Sequence, residues 1–258
     1  MVPPPGAQVS PDGRWIWNGV QWVPNQQPVA APYGKPWLRP YESARFRALF
    51  VVVFLAVNAG ALVVGIALDL GLIAIGGNLD NPNQAGVIAV GLVALAFLTL
   101  YYGSLVPAIV LFSMWLHRVV RNMPALGTPD PRWSAAGAVG RCFVPFLNFV
   151  HPLLSVTDAW RGSDERYRWT PLETRLSLGT PNLIALWWAS WLAGRVLTTF
   201  TARMTNSNDP GTVVAGAGID IFGTLLTIGA AVLAILVVRR LTARQDNKYQ
   251  LIASGALN

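Results

Sequence analysis

One cysteine, Cys142, and two histidines, His117 and His151, stand in a chain of 258 residues. A lone cysteine excludes an internal disulfide and a cysteine-built zinc ribbon. The two histidines lie far apart and lack the spacing of metal ligands. Charge is the larger deficit: charged residues make up 12% of the chain, against about 25% in a typical soluble domain. That shortfall excludes an ordinary soluble globular protein, and equally a disordered chain, whose charge content runs high. Enzyme signatures are missing as well. There is no GxSxG, no GxxxxGKS/T, no HExxH and no dinucleotide fingerprint between a strand and a helix. No cofactor and no enzymatic activity are expected.

What the chain has is apolar length. Hydrophobic residues make up 53%, and the mean hydropathy is +0.44. Four stretches stand out: Ala48–Ile75, Ala85–Leu116, Pro181–Thr201 and Thr212–Val238. Each reaches the ~20 residues that a bilayer core requires, and their only charges are Asp69, Arg195 and Asp220. A further apolar run, Cys142–Val156, is too short to cross and is broken by Pro145 and Pro152. It reads as the centre of an interfacial or re-entrant segment spanning about 137–160. The expected fold is an all-α membrane protein: a four-span helical bundle with that segment and a small N-terminal β-hairpin.

The basic residues supply an orientation. Arg14, Lys35, Arg39, Arg45 and Arg47 precede the first span. Arg118, Arg121, Arg132, Arg141, Arg161, Arg166, Arg168 and Arg175 lie between the second and third, and Arg239, Arg240, Arg244 and Lys248 follow the fourth. The loop 76–84 has none and the loop 202–211 has only Arg203. By the positive-inside rule both termini and the middle segment are cytoplasmic, in a multi-pass protein of the cell membrane. The net charge of +7 therefore reports topology and not a nucleic-acid partner.

The N-terminal region divides into three. Residues 1–10 read as disordered. Arg14-Trp15-Ile16-Trp17 and Val20-Gln21-Trp22-Val23 flank Asn18-Gly19, the strongest short hairpin turn signal. Residues 25–44 form a linker rich in proline toward its start. Nothing here has the apolar core beside a charged start that marks a cleavable signal peptide. An isolated hairpin is marginal in water, so Trp15, Trp17 and Trp22 must pack on one another, on the membrane or on a protein partner. A tryptophan mini-core is the simpler reading; a binding platform is the sharper one.

From Trp115 onward the chain resembles a bacterial family of unknown function, family 4328. Trp115-Leu116-His117-Arg118-Val119-Val120-Arg121-Asn122 followed by Ala125-Leu126-Gly127 forms the first block. Phe143-Val144-Pro145-Phe146-Leu147-Asn148, Pro152 and Ala159-Trp160-Arg161-Gly162-Ser163-Asp164 form the second. The resemblance covers about residues 45–240. It departs where Arg141-Cys142 replaces an aromatic pair, and where His151 stands for an arginine. The N-terminal hairpin is similar to short Trp-rich repeats that precede various bacterial membrane domains. The resemblance implies the membrane architecture and no activity.

Three groups of residues are candidate sites. Arg195 lies ~21 Å from the start of the third span and Asp220 ~27 Å from the end of the fourth, at 1.5 Å per residue. Ionisable residues at such depth are costly and pair with one another; an Arg195–Asp220 ion pair is expected, with Tyr101 at the same depth as a donor. His117, Arg118, Arg121, Trp160 and Arg161 are expected to form a basic, Trp-lined cytoplasmic face for anionic inner-leaflet lipid or a protein partner. The third group is the hairpin platform of Trp15, Trp17 and Trp22. Two functions follow. One is a non-enzymatic membrane interaction or scaffold protein. The other is a small transporter or channel subunit built on the Arg195–Asp220–Tyr101 cluster. No motif fixes an oligomeric state.

Overall fold

The computed structural model describes residues 10, 15–17, 19–24, 40–74, 84–128 and 130–257. The expected disordered start, Asn18 of the turn, most of the linker and the loop near residue 80 lie outside them. The chain divides into two compact units, Met1–Leu38 and Arg39–Asn258.

In the first unit, β1 (Trp15–Trp17) pairs antiparallel with β2 (Trp22–Pro24), Trp17 opposite Trp22. Gly19 has a φ of +98°, a value open to glycine at little cost. The rings of Trp17 and Trp22 lie 5.6 Å apart, while Trp15 and Trp22 remain half-exposed.

The second unit is all-helical: α1 (Arg45–Ala74), α2 (Gln84–Asn122), α3 (Ala135–Gly140), α4 (His151–Gly162), α5 (Leu172–Ser177), α6 (Asn182–Met204) and α7 (Pro210–Ala253). Among the described residues, four helices are long and apolar enough to cross a membrane: α1, α2 from Ile88 onward, α6 and α7. The chain is a multi-pass membrane protein. The apolar surface of α2 is almost wholly unburied within the chain, an arrangement that lipid stabilises and water does not.

The span helices overrun their apolar stretches. Helix α2 passes through Pro107 and continues to Asn122, where a 3-10 turn, Pro124–Leu126, and Gly127 at φ +77° end it. Helix α7 starts at a built cap: Asp209 accepts the Thr212 N–H at 2.8 Å and Pro210 occupies the first turn. It then runs through the region expected to be a tail. The run 142–156 is not one helix. Two 3-10 turns, Arg141–Phe143 and Leu147–Phe149, precede α4, which carries Pro152 in its first turn.

The bundle packs as a row in which α1 lies against α2 and α7, and α7 against α6. Its main core lies at one end, where Ala48, Val51, Trp115, Val119, Val156, Ile184, Val237 and Leu241 are all buried. Here α3 and α4 fill the space between α2 and α6. This is the Arg-rich end.

Candidate functional site

Two places in the helical unit gather polar side chains. The first is the Arg-rich end, held together by the extension of α7. Val238, Leu241, Thr242, Gln245 and Lys248 recur every three or four residues and are all buried, so one helix face changes from apolar to polar while staying inside. Thr242 accepts the Trp115 indole N–H at 2.9 Å. Gln245 donates to the Val119 carbonyl at 2.9 Å and to Ser163 at 3.1 Å, and accepts from Asn122 at 3.3 Å. The Lys248 ammonium donates to the carbonyls of Gly162 and Asp164 at 3.0 and 2.8 Å. Residue 162 must be small: a Cβ there would lie 3.1 Å from Thr128 Cγ2 and closer still to Met123.

The strand before α1 closes over this end. Tyr41 donates to Asp246 at 2.6 Å and stacks on Tyr249. Asn122 donates to the Glu42 carbonyl at 2.8 Å, and the Glu42 carboxylate pairs with Arg118 and more loosely with Arg121. Asp164 takes Arg166 and Arg244. Burial alone would raise its carboxyl; the two guanidiniums outweigh that and hold it below the usual range. Arg175 is fully buried against Asp130 at 2.9 Å, with Asp158 at 3.9 Å. Burial pushes the Asp158 carboxyl up, against the Arg132 N–H and Arg175.

Residues expected at the lipid face have partners within the chain. Arg118 is engaged by Glu42, Arg161 donates to the Leu178 carbonyl, and Trp160 lies under Arg244 at 4.9 Å. With half-buried His117 and Arg121, these residues tie elements together and do not form one outward face. Guanidiniums drawn away from water must find partners inside. Sequence reasoning missed the partners: Glu42, Asp130, Asp164, Asp246 and Lys248. For Lys248, the signal that could have found it is the three-to-four spacing along α7.

The apolar surface at this end is elsewhere. In the loop between α3 and α4, Phe143, Val144, Leu147, Phe149 and Val150 are all exposed, and Phe146 is 84% exposed. Phe146 has a φ of +66°, which is strained for a side chain of that size. The loop is pinned from behind, because the Trp188 indole donates to the Phe149 carbonyl at 2.8 Å. Beside it, Arg132 and Arg141 lie over the Trp133 ring at 4.4 and 5.5 Å.

The second place is the opposite half of the bundle. There α6 and α7 cross closely: a Cβ on Gly194 would lie 2.8 Å from the Gly223 carbonyl. The crossing sets Arg195 beside Asp220. A cavity of about 530 Å³ opens here, lined among others by Leu62, Tyr101, Tyr102, Arg195, Asp220 and Thr224. The expected ion pair is not made. Asp220 accepts instead from Thr201 at 2.5 Å and from Thr224 at 3.5 Å, and among the described residues no ion pair reaches Arg195. Nor does Tyr101 donate to Asp220; its ring stacks on Phe97 at 5.6 Å and its carbonyl accepts from Asn58 at 3.1 Å. The hydroxyls of Thr201 and Thr224 reach one oxygen each of the carboxylate from fixed helix positions and supply donors in place of the guanidinium.

Among the described residues, no group of three or more His, Cys, Asp or Glu is arranged to hold a metal ion. A family model described as a domain of unknown function, DUF4328, matches residues 81–243. No curated protein and no solved structure matches the chain.

Proposed function

The chain belongs to the DUF4328 family, and from that premise we propose a non-enzymatic membrane interaction protein that engages the anionic inner leaflet. Its Arg-rich end faces the cytoplasm, as the distribution of Arg and Lys requires. The observation that carries the reading is the loop before α4, whose apolar side chains point out around Phe146. A strained backbone that turns a phenylalanine outward favours an apolar surrounding over water. Arg132 and Arg141, held over Trp133 beside that loop, suit the headgroup level, where aromatic and cationic side chains concentrate. The basic lipid contact thus moves from Arg118 and Arg161 to this rim. The half-exposed indoles of Trp15 and Trp22, in a hairpin similar to known Trp-rich repeats, support a protein contact of the N-terminal unit.

The test is the depth of the loop. A nitroxide at Phe146→Cys, in a Cys142→Ser background reconstituted into vesicles, is relaxed more by oxygen than by a water-soluble nickel chelate. A label at Ser177→Cys on α5 shows the reverse. Nickel access at residue 146 equal to that at 177 would sink the proposal.

The second reading, a small transporter or channel subunit, draws on the cavity beside Arg195. Against it stands an aromatic layer on the Arg-rich side. Phe112, Trp187, Trp188 and Trp191 pack ring on ring with centroids 4.6 to 6.0 Å apart. Trp191 lies one helical turn from Arg195, so a path through the bundle would have to part that layer.

A further inference from the structure

The outward-half cavity holds an imbalance that the chain does not resolve by itself. Both charged groups line one space, but only one is satisfied. The Asp220 carboxylate has the hydroxyls of Thr201 and Thr224. Thr198 and Thr199 donate to the backbone carbonyl of Arg195, at 3.4 and 2.7 Å, and among the described residues no hydrogen bond or ion pair reaches its exposed guanidinium. Arg195 lies nine residues from the end of α6 at Met204, a distance of ~13 Å along the axis. A cation at that depth needs an anion.

The shape of the space says where the anion comes from. Helices α2 and α6 are bridged by α3, α4 and the Phe112–Trp187 contact at the Arg-rich end. Away from that end the two line a common cavity, and Tyr102 on its α2 wall is 58% exposed. A mouth between two spans opens sideways into the bilayer. A volume of about 530 Å³ falls in the range of small-ligand pockets. Tyr101 and Tyr102 line the same cavity, and their phenols can donate to an anion held there.

We infer that the cleft between α2 and α6 binds the phosphate or carboxylate head of an anionic amphiphile that enters from the bilayer, with Arg195 as its counter-charge. Asp220, held by threonine hydroxyls, repels a second anionic group and admits a donor. The site is independent of the proposed loop contact at the opposite end.

The test is retention of phosphatidylglycerol by the purified full chain, titrated in detergent and counted by native mass spectrometry, with phosphatidylcholine as the neutral comparison. Arg195→Gln weakens phosphatidylglycerol binding about tenfold or more, the worth of a charge-assisted contact. Arg195→Lys keeps most of it, which also controls for folding. Arg240→Gln, an exposed position of α7 at the Arg-rich end that belongs to neither site, leaves this binding class in place. Unchanged binding in Arg195→Gln overturns the inference. So does equal displacement by millimolar inorganic phosphate, which would make the ligand a free anion. Loss of thermal stability in both Arg195→Gln and Asp220→Asn, restored in the double variant, would mark an internal ion pair and overturn it too.

Discussion

His151 shows how much one side chain carries at the Arg-rich end. It is buried at the start of α4, its ring 4.2 Å from that of Trp133. Burial, reinforced by the charges of Arg141 and Arg132, holds its pKa below the usual value. A histidine lowered on folding contributes stability that is present above its unfolded pKa, about 6.5, and lost as pH falls through the folded value. The thermal midpoint of the purified protein therefore falls between pH 7 and pH 5, and His151→Phe flattens that dependence. Equal slopes in the two proteins would remove His151 as the cause. The sequence places His151 next to Pro152 and in an apolar run, and that much was legible. It does not show which arginines act on the ring, because Arg132 and Arg141, lying over the adjoining Trp133, are brought near only through the fold of α3. Lys248 and Gln245 were illegible for a different reason. Their polarity reads as a solvated tail, and only their helical phase with Val238 and Leu241 reveals burial.

Glycine at one position of α6 decides how that element meets α7. Gly194 faces the Gly223 carbonyl, whereas a Cβ on Gly218 would meet nothing within 4 Å. Gly194→Val is expected to cost about 2 kcal/mol or more through overpacking and to lower the thermal midpoint. Gly218→Val leaves it within error. If the two variants behave alike, close approach is not what holds α6 to α7. The existence of four spans was legible from apolar length alone, and Pro145 and Pro152 announced the broken segment. Element ends were less so. Polar residues end an apolar stretch without ending a helix, and α2 and α7 continue until glycine or proline stops them. Arg118 and Arg161, expected at a lipid face, lie on helices still inside the fold, where Glu42 and the Leu178 carbonyl engage them.

At the scale of the molecule, the charge distribution fixes an expectation for topology. In a Cys142→Ser background, a cysteine at Ser254 reacts with an impermeant maleimide only after cells are opened. One at Ser207, between α6 and α7, reacts in intact cells. Labelling of both in intact cells would defeat the orientation proposed above. The two ends also differ in kind. The Arg-rich end is dense with partnered charges, while the opposite half exposes apolar helix faces to lipid and holds an open cavity.

The extension of α7 has a bearing on biosynthesis. The carbonyls of Gly162, Asp164 and Val119, and the indole N–H of Trp115, find their partners on residues 242–248. Translation reaches those residues only after all six earlier helices have been made. Until then the nascent protein carries orphaned polar groups and an open Arg-rich end. Closure is thus a late event with distant pairings, which are slow to form. A chain interrupted before residue 242 has the spans but not the lock. The last turns of α7 thus complete the Arg-rich end.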